Sequence, residues 1–264
     1  MIIGAIIGDI VGSRFEFNNH KSKDFKLFTD DCFITDDSIM TIAVARGLID
    51  FKDNYNNVSD SEIKNNVIKY MLEIGRQYPY CGYGNSFYDW IYYKARPYNS
   101  YGNGSAMRVS ACGWIGKTLE DTKYLAKLTA EVSHNHPEGI KGAKVTAGCI
   151  YLCRNNYTKE DIKEFVSDYY NINFTLDKIR NTYKFNETCQ KTVPQAIVAF
   201  LESNSFEDAI RNAISIGGDS DTLAAITGSI AEAYYGVPYD IKQKAESYMD
   251  NTLKTYYDYI NTKF

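Results

Sequence analysis

Residues 216–236 read IGGDSDTLAAITGSIAEAYYG, and this stretch indicates the fold class. Two glycines end one segment, and two aspartates and a threonine follow at once. Apolar residues then recur at three- and four-residue steps, which predicts a helix over 221–235. The helix therefore begins beside acidic side chains, and other parts of the chain repeat that arrangement.

Helical periodicity recurs along most of the chain. It predicts further helices over 38–50, 60–76, 121–132, 138–153, 159–170, 191–202, 206–215 and 239–260. Alternating strand patterns are scarce, and only residues 25–34 give a weak indication of extended structure. No low-complexity linker divides the sequence, so we expect residues 1–264 to form a single all-α domain.

The composition excludes several classes of protein. The 264 residues carry 29 basic and 33 acidic side chains, a net charge of −4, and no block of five basic residues. A nucleic-acid substrate stays open, but no basic patch supports one. Six scattered cysteines without a CxxC pair fit a reducing compartment better than a zinc site or disulfides. We see no signal peptide and no long apolar run, and we expect a cytoplasmic protein without a membrane partner.

Two further segments place acidic residues beside small residues at predicted helix starts. They are GDIVGSRFEF at 8–17 and ITDDSIM at 34–40. Asp, Ser and Thr are the preferred helix N-caps, and capping accounts for one such residue at each start. It does not account for two carboxylates and a hydroxyl on apolar flanks, as in residues 35–37 and again in residues 219–222.

A pair of divalent cations accounts for both acidic clusters. Carboxylates held close together raise each other's pKa, and a hard cation removes that repulsion. Mg²⁺ and Mn²⁺ favour carboxylate, hydroxyl and water oxygens. Two such clusters that meet in space suit two metal ions. Paired helix caps remain the alternative from the residues alone.

Two loops add features that suit a ligand. The run YGNGSAMR at 101–108 has exposed N–H groups that suit a phosphate, although Asn-Gly is also a common turn. We expect the side chain of Arg108 to pair there with either a phosphate or a buried carboxylate. The loop SHNHPEG at 133–139 carries two histidines, which we expect to cap a helix or hydrogen-bond a ligand rather than bind a metal ion.

Taken together, these motifs resemble the ADP-ribosylglycohydrolase family, which includes dinitrogenase-reductase-activating glycohydrolase. The matching segments are GDIVGSRFEF, TDDSIM, GNGSAMR, SHNHPEGIKGA and GGDSDTLAAI, in the family's order. The resemblance implies an all-α orthogonal helical bundle with two divalent cations, Mg²⁺ or Mn²⁺. It also implies a hydrolase that releases ADP-ribose by cleaving an N- or O-glycosidic bond at the anomeric carbon of the distal ribose.

The resemblance also implies three groups of site residues. The metal ligands would be Thr35, Asp36, Asp37, Asp219, Asp221 and Thr222. The substrate-binding residues would be Gly102, Asn103, Gly104, Ser105, Met107 and His134. Of the catalytic pair, we expect Asp36 to orient or deprotonate the attacking water and Glu16 to handle a proton or position the ribose. The opposite assignment of the two roles is the alternative.

The chain departs from the family pattern at two hydroxyl positions. Ser38 and Ser220 stand where the family more often has threonine, and both keep a hydroxyl. The run FTDD at 28–31 echoes ITDD at 34–37. We assign the ligands to the later copy because the apolar helix follows it directly. If the earlier copy supplied ligands, the first cluster would be misnumbered.

Three functions are compatible with these residues. The first is the metal-dependent ADP-ribosyl hydrolase, with an ADP-ribosylated protein or a small ADP-ribosyl compound as its partner, acting as a monomer. The second is a non-catalytic ADP-ribose binder, and the third is a metal-dependent nucleotide phosphohydrolase. The sequence does not identify the acceptor. The tyrosine-rich stretch 77–101 is the first candidate for acceptor selection, and a tyrosine-rich surface without a specific role is the alternative.

Overall fold

The computed structural model describes residues 1–263, and helices account for nearly all of its regular structure. We number the α-helices α1 to α15 in chain order. Their bounds are Ile3–Gly12, Asp36–Ile49, Asp60–Gly75, Asn85–Tyr92, Gly104–Met107, Ser110–Ile115, Leu119–Glu131, Pro137–Arg154, Lys159–Ser167, Leu176–Ile179, Cys189–Leu201, Phe206–Ile214, Ser220–Tyr235, Tyr239–Glu246 and Asn251–Asn261. Short 3-10 helices lie at Ser13–Phe15 and Tyr55–Asn57.

The prediction of an all-α fold is confirmed, with corrections at three places. Residues 1–263 contain no β-strand, so the extended structure suggested for 25–34 was wrong. The helix predicted over 239–260 is two helices, because Asp250 caps α15 by accepting a hydrogen bond from the Leu253 amide at 2.8 Å. Asp9 lies near the end of an unpredicted helix, α1, and not at a helix start.

Helix α13 forms the centre of the packing. Every residue from Ser220 to Glu232 is buried, with α1, α8, α11 and α12 packed around the helix. A helix that is apolar or small on all sides belongs in the middle of a domain. The buried apolar side chains form one continuous cluster around it. The assignment of residues 1–264 to one domain stays a prediction.

Helices α1 and α13 approach each other backbone to backbone. A Cβ atom on Gly4 would lie 2.2 Å from the Gly228 carbonyl oxygen, and one on Gly8 would lie 2.0 Å from the Ala224 carbonyl oxygen. A Cβ on Gly12 would lie 2.5 Å from the Cα of Asp221. Only glycine fits at these points. The three glycines therefore bring the end of α1 directly against the acidic start of α13.

No helix among residues 1–263 combines the length and the apolar character needed to span a membrane.

Candidate active site

A buried carboxylate from α1 holds the start of α2. Asp9 accepts hydrogen bonds from the amide and hydroxyl of Thr35 at 3.0 and 2.6 Å. It also accepts from the amide of Ser38 at 3.1 Å and from the Ser38 hydroxyl. Thr35 is in turn the N-cap of α2, since its hydroxyl accepts from the Asp37 amide at 3.2 Å. Asp9 therefore fixes the backbone from which Asp36 and Asp37 project.

A glycine turn positions the start of α13. Gly217 and Gly218 have φ of 63° and 86°, values that glycine adopts without strain. The side chain of Asn19 holds this turn, because it accepts from the Gly218 amide at 2.7 Å and donates to the Gly218 carbonyl at 2.8 Å. Asp219 follows at once and accepts a 2.6 Å hydrogen bond from the Asn103 side chain. The turn thus directs Asp219 towards the glycine-rich loop.

The two acidic helix starts meet in space. The Thr222 hydroxyl donates to Oδ2 of Asp37 at 3.0 Å, which joins α13 to α2. Carboxylate oxygens of Glu16, Asp219 and Asp221 lie within 4.8 Å of one another. Oδ1 of Asp37 is buried and has no hydrogen-bond partner among residues 1–263. This arrangement gathers oxygen donors from three parts of the chain without satisfying all of them.

Burial and mutual repulsion raise the pKa of these acids. Burial, followed by the charges of Asp221 and Asp9, raises the pKa of Glu16 to about 8. Burial raises the pKa of Asp219 to about 7, even though Asn103 donates to it. Burial and neighbouring carboxylates also hold the pKa of Asp36, Asp37 and Asp221 well above the usual range for aspartate.

The charge of Arg108 acts on Asp36 from a distance, but no direct ion pair within residues 1–263 relieves this repulsion. None of the ion pairs among residues 1–263 includes an acid of the cluster. An oxygen-rich set of acids without an internal counter-charge is what hard divalent cations bind. The donors present therefore fit Mg²⁺ or Mn²⁺, whereas paired helix caps do not require such a set.

The acidic cluster forms one wall of a cavity of about 540 Å³. Another part of the lining, which we call the other wall, is formed by Gly102, Gly104, Met107, Arg108 and His134. The stretch 77–101 contributes Gly82, Gly84, Asn85, Ser86, Phe87, Tyr98 and Ser100 to the lining. The cavity thus combines an acidic wall, a glycine-rich loop and an aromatic segment, a combination that suits a polar ligand with ring groups.

Most of the residues predicted for the site line this cavity. They are Glu16, Asp36, Asp37, Gly102, Asn103, Gly104, Met107, His134, Asp219, Asp221 and Thr222. Two do not. The Thr35 hydroxyl donates to Asp9, and the Ser105 hydroxyl donates to the Gly139 carbonyl at 2.8 Å. Thr35 nevertheless adjoins the acidic wall, because its hydroxyl accepts from the Asp37 amide at 3.2 Å.

The upstream echo of the first acidic motif lies outside the cavity. Asp30 and Asp31 are exposed, and Asp31 pairs with Arg14 at 3.7 Å and accepts from the Thr29 hydroxyl. The structure therefore places Asp36 and Asp37, and not Asp30 and Asp31, at the cavity.

The two histidines of the 133–139 loop have different surroundings. His136 caps α8, because its Nδ1 accepts from the Glu138 amide at 3.1 Å. His134 is buried and faces the cavity. Burial, and secondarily the nearby Arg108 guanidinium, hold the pKa of His134 well below its ordinary value. The expectation of a cap or a ligand contact is met by the cap at His136.

Sequence reasoning missed several residues around the cavity. Asp9 and Asn19 position the two acidic helix starts, and Glu187 adds a carboxylate to the cavity lining. A signal existed only for Asp9, which lies in the GDIVGS motif but was interpreted as part of a helix start. Asn19 and Glu187 lie in segments without periodicity, so only the folded chain reveals their contacts.

With this geometry in place, the comparison with known families is decisive. A sequence profile described as ADP-ribosylglycohydrolase matches residues 1–259. This chain belongs to the ADP-ribosylglycohydrolase family. The family's all-α architecture also appears in a solved structure titled an ADP-ribosylglycohydrolase-related protein complex. That structure has a TM-score of 0.65, 19% sequence identity, and coverage of 97% of this chain and 95% of the other.

Curated relatives of this ADP-ribosylglycohydrolase family member include ADP-ribosylhydrolase ARH3 proteins from animals. The Gallus gallus protein is 28% identical over 57% of this chain and 55% of its own length. The Mus musculus protein is 24% identical over 94% of this chain and 86% of its own length. ADP-ribosylarginine hydrolase Tri1 of Pseudomonas putida is 27% identical over 52% of this chain and 39% of its own length. The chain spans about half the length of the first curated relatives it matches.

Proposed function

We propose that this family member is a metal-dependent hydrolase that removes ADP-ribose from an ADP-ribosylated substrate. One observation supports this most directly: two acidic helix starts meet in a cavity that also contains the glycine-rich loop and His134. The names of the relatives, ADP-ribosylhydrolase ARH3 and ADP-ribosylarginine hydrolase, agree with this activity.

We further propose that two divalent cations, Mg²⁺ or Mn²⁺, bind the acidic wall. Their ligands would come from Thr35, Asp36, Asp37, Asp219, Asp221 and Thr222, with Glu16 close by. The unpartnered Oδ1 of Asp37 supports this set, because a buried carboxylate oxygen without a donor needs a cation or water. When bound, divalent cations supply positive charge and Lewis acidity to this wall.

Two carboxylates carry the proton transfers in this proposal. Asp36 is half-buried at the start of α2 and accepts a proton from the water that attacks the anomeric carbon. Glu16 lies beside Asp219 and Asp221 and delivers a proton to the leaving group. An exchange of the two roles is the alternative. In either form, attack passes through a transition state with oxocarbenium character.

The remaining predicted residues bind the ADP-ribosyl group. Gly102, Asn103 and Gly104 present backbone to the cavity, and the Asn103 amide is anchored by the Glu187 carbonyl at 2.7 Å. Met107 and His134 line the same wall. Ser105 acts indirectly, by tying α5 to the start of α8 through Gly139. This wall would hold the nucleotide part while the acidic wall receives the distal ribose.

The test is release of ADP-ribose from serine- and arginine-linked ADP-ribosyl peptides. We expect release with Mg²⁺ or Mn²⁺ and none with a chelator. A folded, cation-loaded protein that releases ADP-ribose from no member of a broad substrate panel contradicts the proposal. Tight binding of ADP-ribose without turnover identifies a non-catalytic binder, and release of inorganic phosphate identifies a phosphohydrolase.

The acceptor is recognised, in our proposal, by the part of the cavity that the 77–101 stretch and Glu187 provide. Tyr98 and Phe87 give it aromatic surface, and Glu187 is an exposed carboxylate at the lining. The ratio of the rates on the two peptide linkages measures this selection directly.

A further inference from the structure

The cavity lining includes a buried arginine that makes no ion pair within residues 1–263. Arg108 is 1% exposed, and its Nη2 donates to the Thr129 carbonyl at 3.2 Å and to the Ser133 hydroxyl at 2.8 Å. The guanidinium lies 5.4 Å from the ring of Phe87. No Asp or Glu among residues 1–263 forms an ion pair with it. Its hydrogen-bond partners are therefore neutral oxygens, one of which, the Ser133 hydroxyl, also contacts His134.

The Ser133 hydroxyl connects Arg108 to His134. Its Oγ lies 2.8 Å from Nδ1 of His134, in addition to its contact with Arg108. A guanidinium can only donate, so Oγ accepts from Arg108. The hydroxyl proton then needs an acceptor, and Nδ1 is the acceptor available to it among residues 1–263. Ser133 therefore donates to Nδ1, which cannot carry the ring proton.

The ring proton of neutral His134 is then on Nε2. Cβ atoms placed on Gly104 and Gly102 would lie 3.1 and 3.4 Å from this nitrogen, so Nε2 faces the glycine-rich loop. Nε2 has no hydrogen-bond partner among residues 1–263, and His134 lines the cavity. The ring itself is held by packing near Tyr98 and Phe87, with centroid distances of 5.7 and 6.2 Å.

We propose that Arg108 and Ser133 act as positioning residues that fix His134 as the Nε2–H tautomer, so that it donates a hydrogen bond to an oxygen of the ADP-ribosyl group. The role given to the ligand rests on the proposed function. The tautomer itself does not, since it follows from the Arg108–Ser133–His134 contacts alone. Burial and the Arg108 charge also lower the pKa of His134, which keeps the ring neutral and the assignment of a single donor meaningful.

A nitrogen-15 NMR measurement of the histidine rings tests the tautomer. The chain has three histidines, and His20→Gln and His136→Gln variants identify the His134 signals. We expect the Nε2–H pattern in the wild-type protein and loss of its single-tautomer character in Ser133→Ala. Ser133→Thr keeps the hydroxyl and should restore it. An Nδ1–H pattern in the wild-type protein overturns the proposal.

Binding of ADP-ribose, measured by calorimetry on the same variants, tests the recognition step. We expect Ser133→Ala to weaken binding by about three- to tenfold, the effect of one neutral hydrogen bond, with Ser133→Thr near wild type. His134→Gln, whose amide can donate from a similar place, should bind better than His134→Leu. Unchanged affinity in Ser133→Ala, with the tautomer shifted, overturns the recognition role.

A matched variant separates this effect from general loss of stability. Ser229→Ala removes another buried hydroxyl, one that donates only to the Ile226 carbonyl within α13 at 2.7 Å. It should leave both the His134 signals and ADP-ribose affinity unchanged. If the wild-type protein binds no ADP-ribose, the proposed function fails, while the NMR pattern still decides whether Arg108 and Ser133 fix the tautomer.

Discussion

The two walls of the cavity handle charge in opposite ways. The acidic wall collects buried and half-buried carboxylates from α2, α13 and the segment around Glu16 without any cationic partner in the described chain. The other wall contains one buried cation, Arg108, whose charge is directed into neutral oxygens. The acidic wall therefore requires cations from solution to balance its charge. The other wall is held by hydrogen bonds within the chain.

The two walls therefore differ in how far they depend on a ligand. Carboxylates that are buried together repel one another and destabilise the folded protein, and cation binding removes this repulsion. In the other wall, the hydrogen bonds from Arg108 to Ser133 and from Ser133 to His134 fix the histidine ring before any ligand binds. Variants of the acidic wall should therefore change activity and cation response, and variants of the other wall should change affinity.

The largest effect is expected from removing an acidic ligand. Asp221→Ala should lower the rate of ADP-ribose release by more than about 100-fold, with helicity by circular dichroism retained. The matched variant Asp30→Ala removes an exposed aspartate of the upstream echo and should keep the wild-type rate. Near-normal turnover in Asp221→Ala would remove the acidic wall from the mechanism.

The next effect concerns Asp9, which joins α1 to the acidic wall. Asp9→Ala leaves two amides and two hydroxyls of Thr35 and Ser38 without their acceptor. We expect the free energy of unfolding in urea to fall by about 3 kcal/mol. Asp9→Asn keeps one acceptor oxygen and should lose about 1 kcal/mol. Equal stability of the alanine variant and the wild type would contradict this account.

Cation binding to the acidic wall should stabilise the folded protein by about as much as Asp9→Ala destabilises it. Mn²⁺ at about a hundred times its Kd should add about 2.7 kcal/mol to the free energy of unfolding, seen as a rise in Tm of about 5–10 °C. Asp37→Asn should remove most of this rise without lowering the Tm of the metal-free protein, because it removes one buried charge. The same rise in Asp37→Asn and in wild type would show that cations bind elsewhere.

The smallest effect belongs to the other wall and depends on pH. The unfolded chain takes a proton on His134 as pH falls through its ordinary value of 6.5, whereas the folded chain resists it because the pKa is lowered. Stability from this group is therefore present above about pH 6.5 and lost below it, by about 1 kcal/mol per pH unit.

The measurement is urea unfolding at about pH 7.5 and about pH 5.5. His134→Gln should lose less stability between the two than wild type, and His20→Gln should behave as wild type. Identical losses in all three proteins would mean that His134 titrates in the folded protein as it does in the unfolded chain, which contradicts the lowered pKa.

The sequence predicted most of the helices and the acidic wall. The helix periodicity placed α2, α3, α7, α8, α11, α12 and α13 within a few residues of their bounds. The acidic wall was predicted because residues 35–37 and 219–222 are compact motifs at strongly periodic helices. Local patterns of this kind require only short-range information, and the chain preserves them on folding.

The other wall and the connections between walls were not predictable. Arg108 was expected to pair with a phosphate or a carboxylate, yet its partners in the chain are Thr129 and Ser133. Those contacts join residues more than twenty positions apart and depend on how α5 and α7 pack. The role of Asp9 was not predicted for a similar reason, since its four hydrogen-bond donors belong to residues 26 and 29 positions away. The split between α14 and α15 was missed because apolar periodicity continues across Asp250.

The close crossing of α1 and α13 means that three of the most consequential positions in this chain carry no side chain. In a saturation mutational scan, Gly4, Gly8 and Gly12 should tolerate fewer replacements than most residues that line the cavity, although none of them touches a ligand. Each replacement would push the helices apart and carry Asp9 and Asp221 away from each other. A redesign of the pocket that considers only its lining would thus overlook the glycines of α1, whose lack of a Cβ atom sets the distance between the two helices.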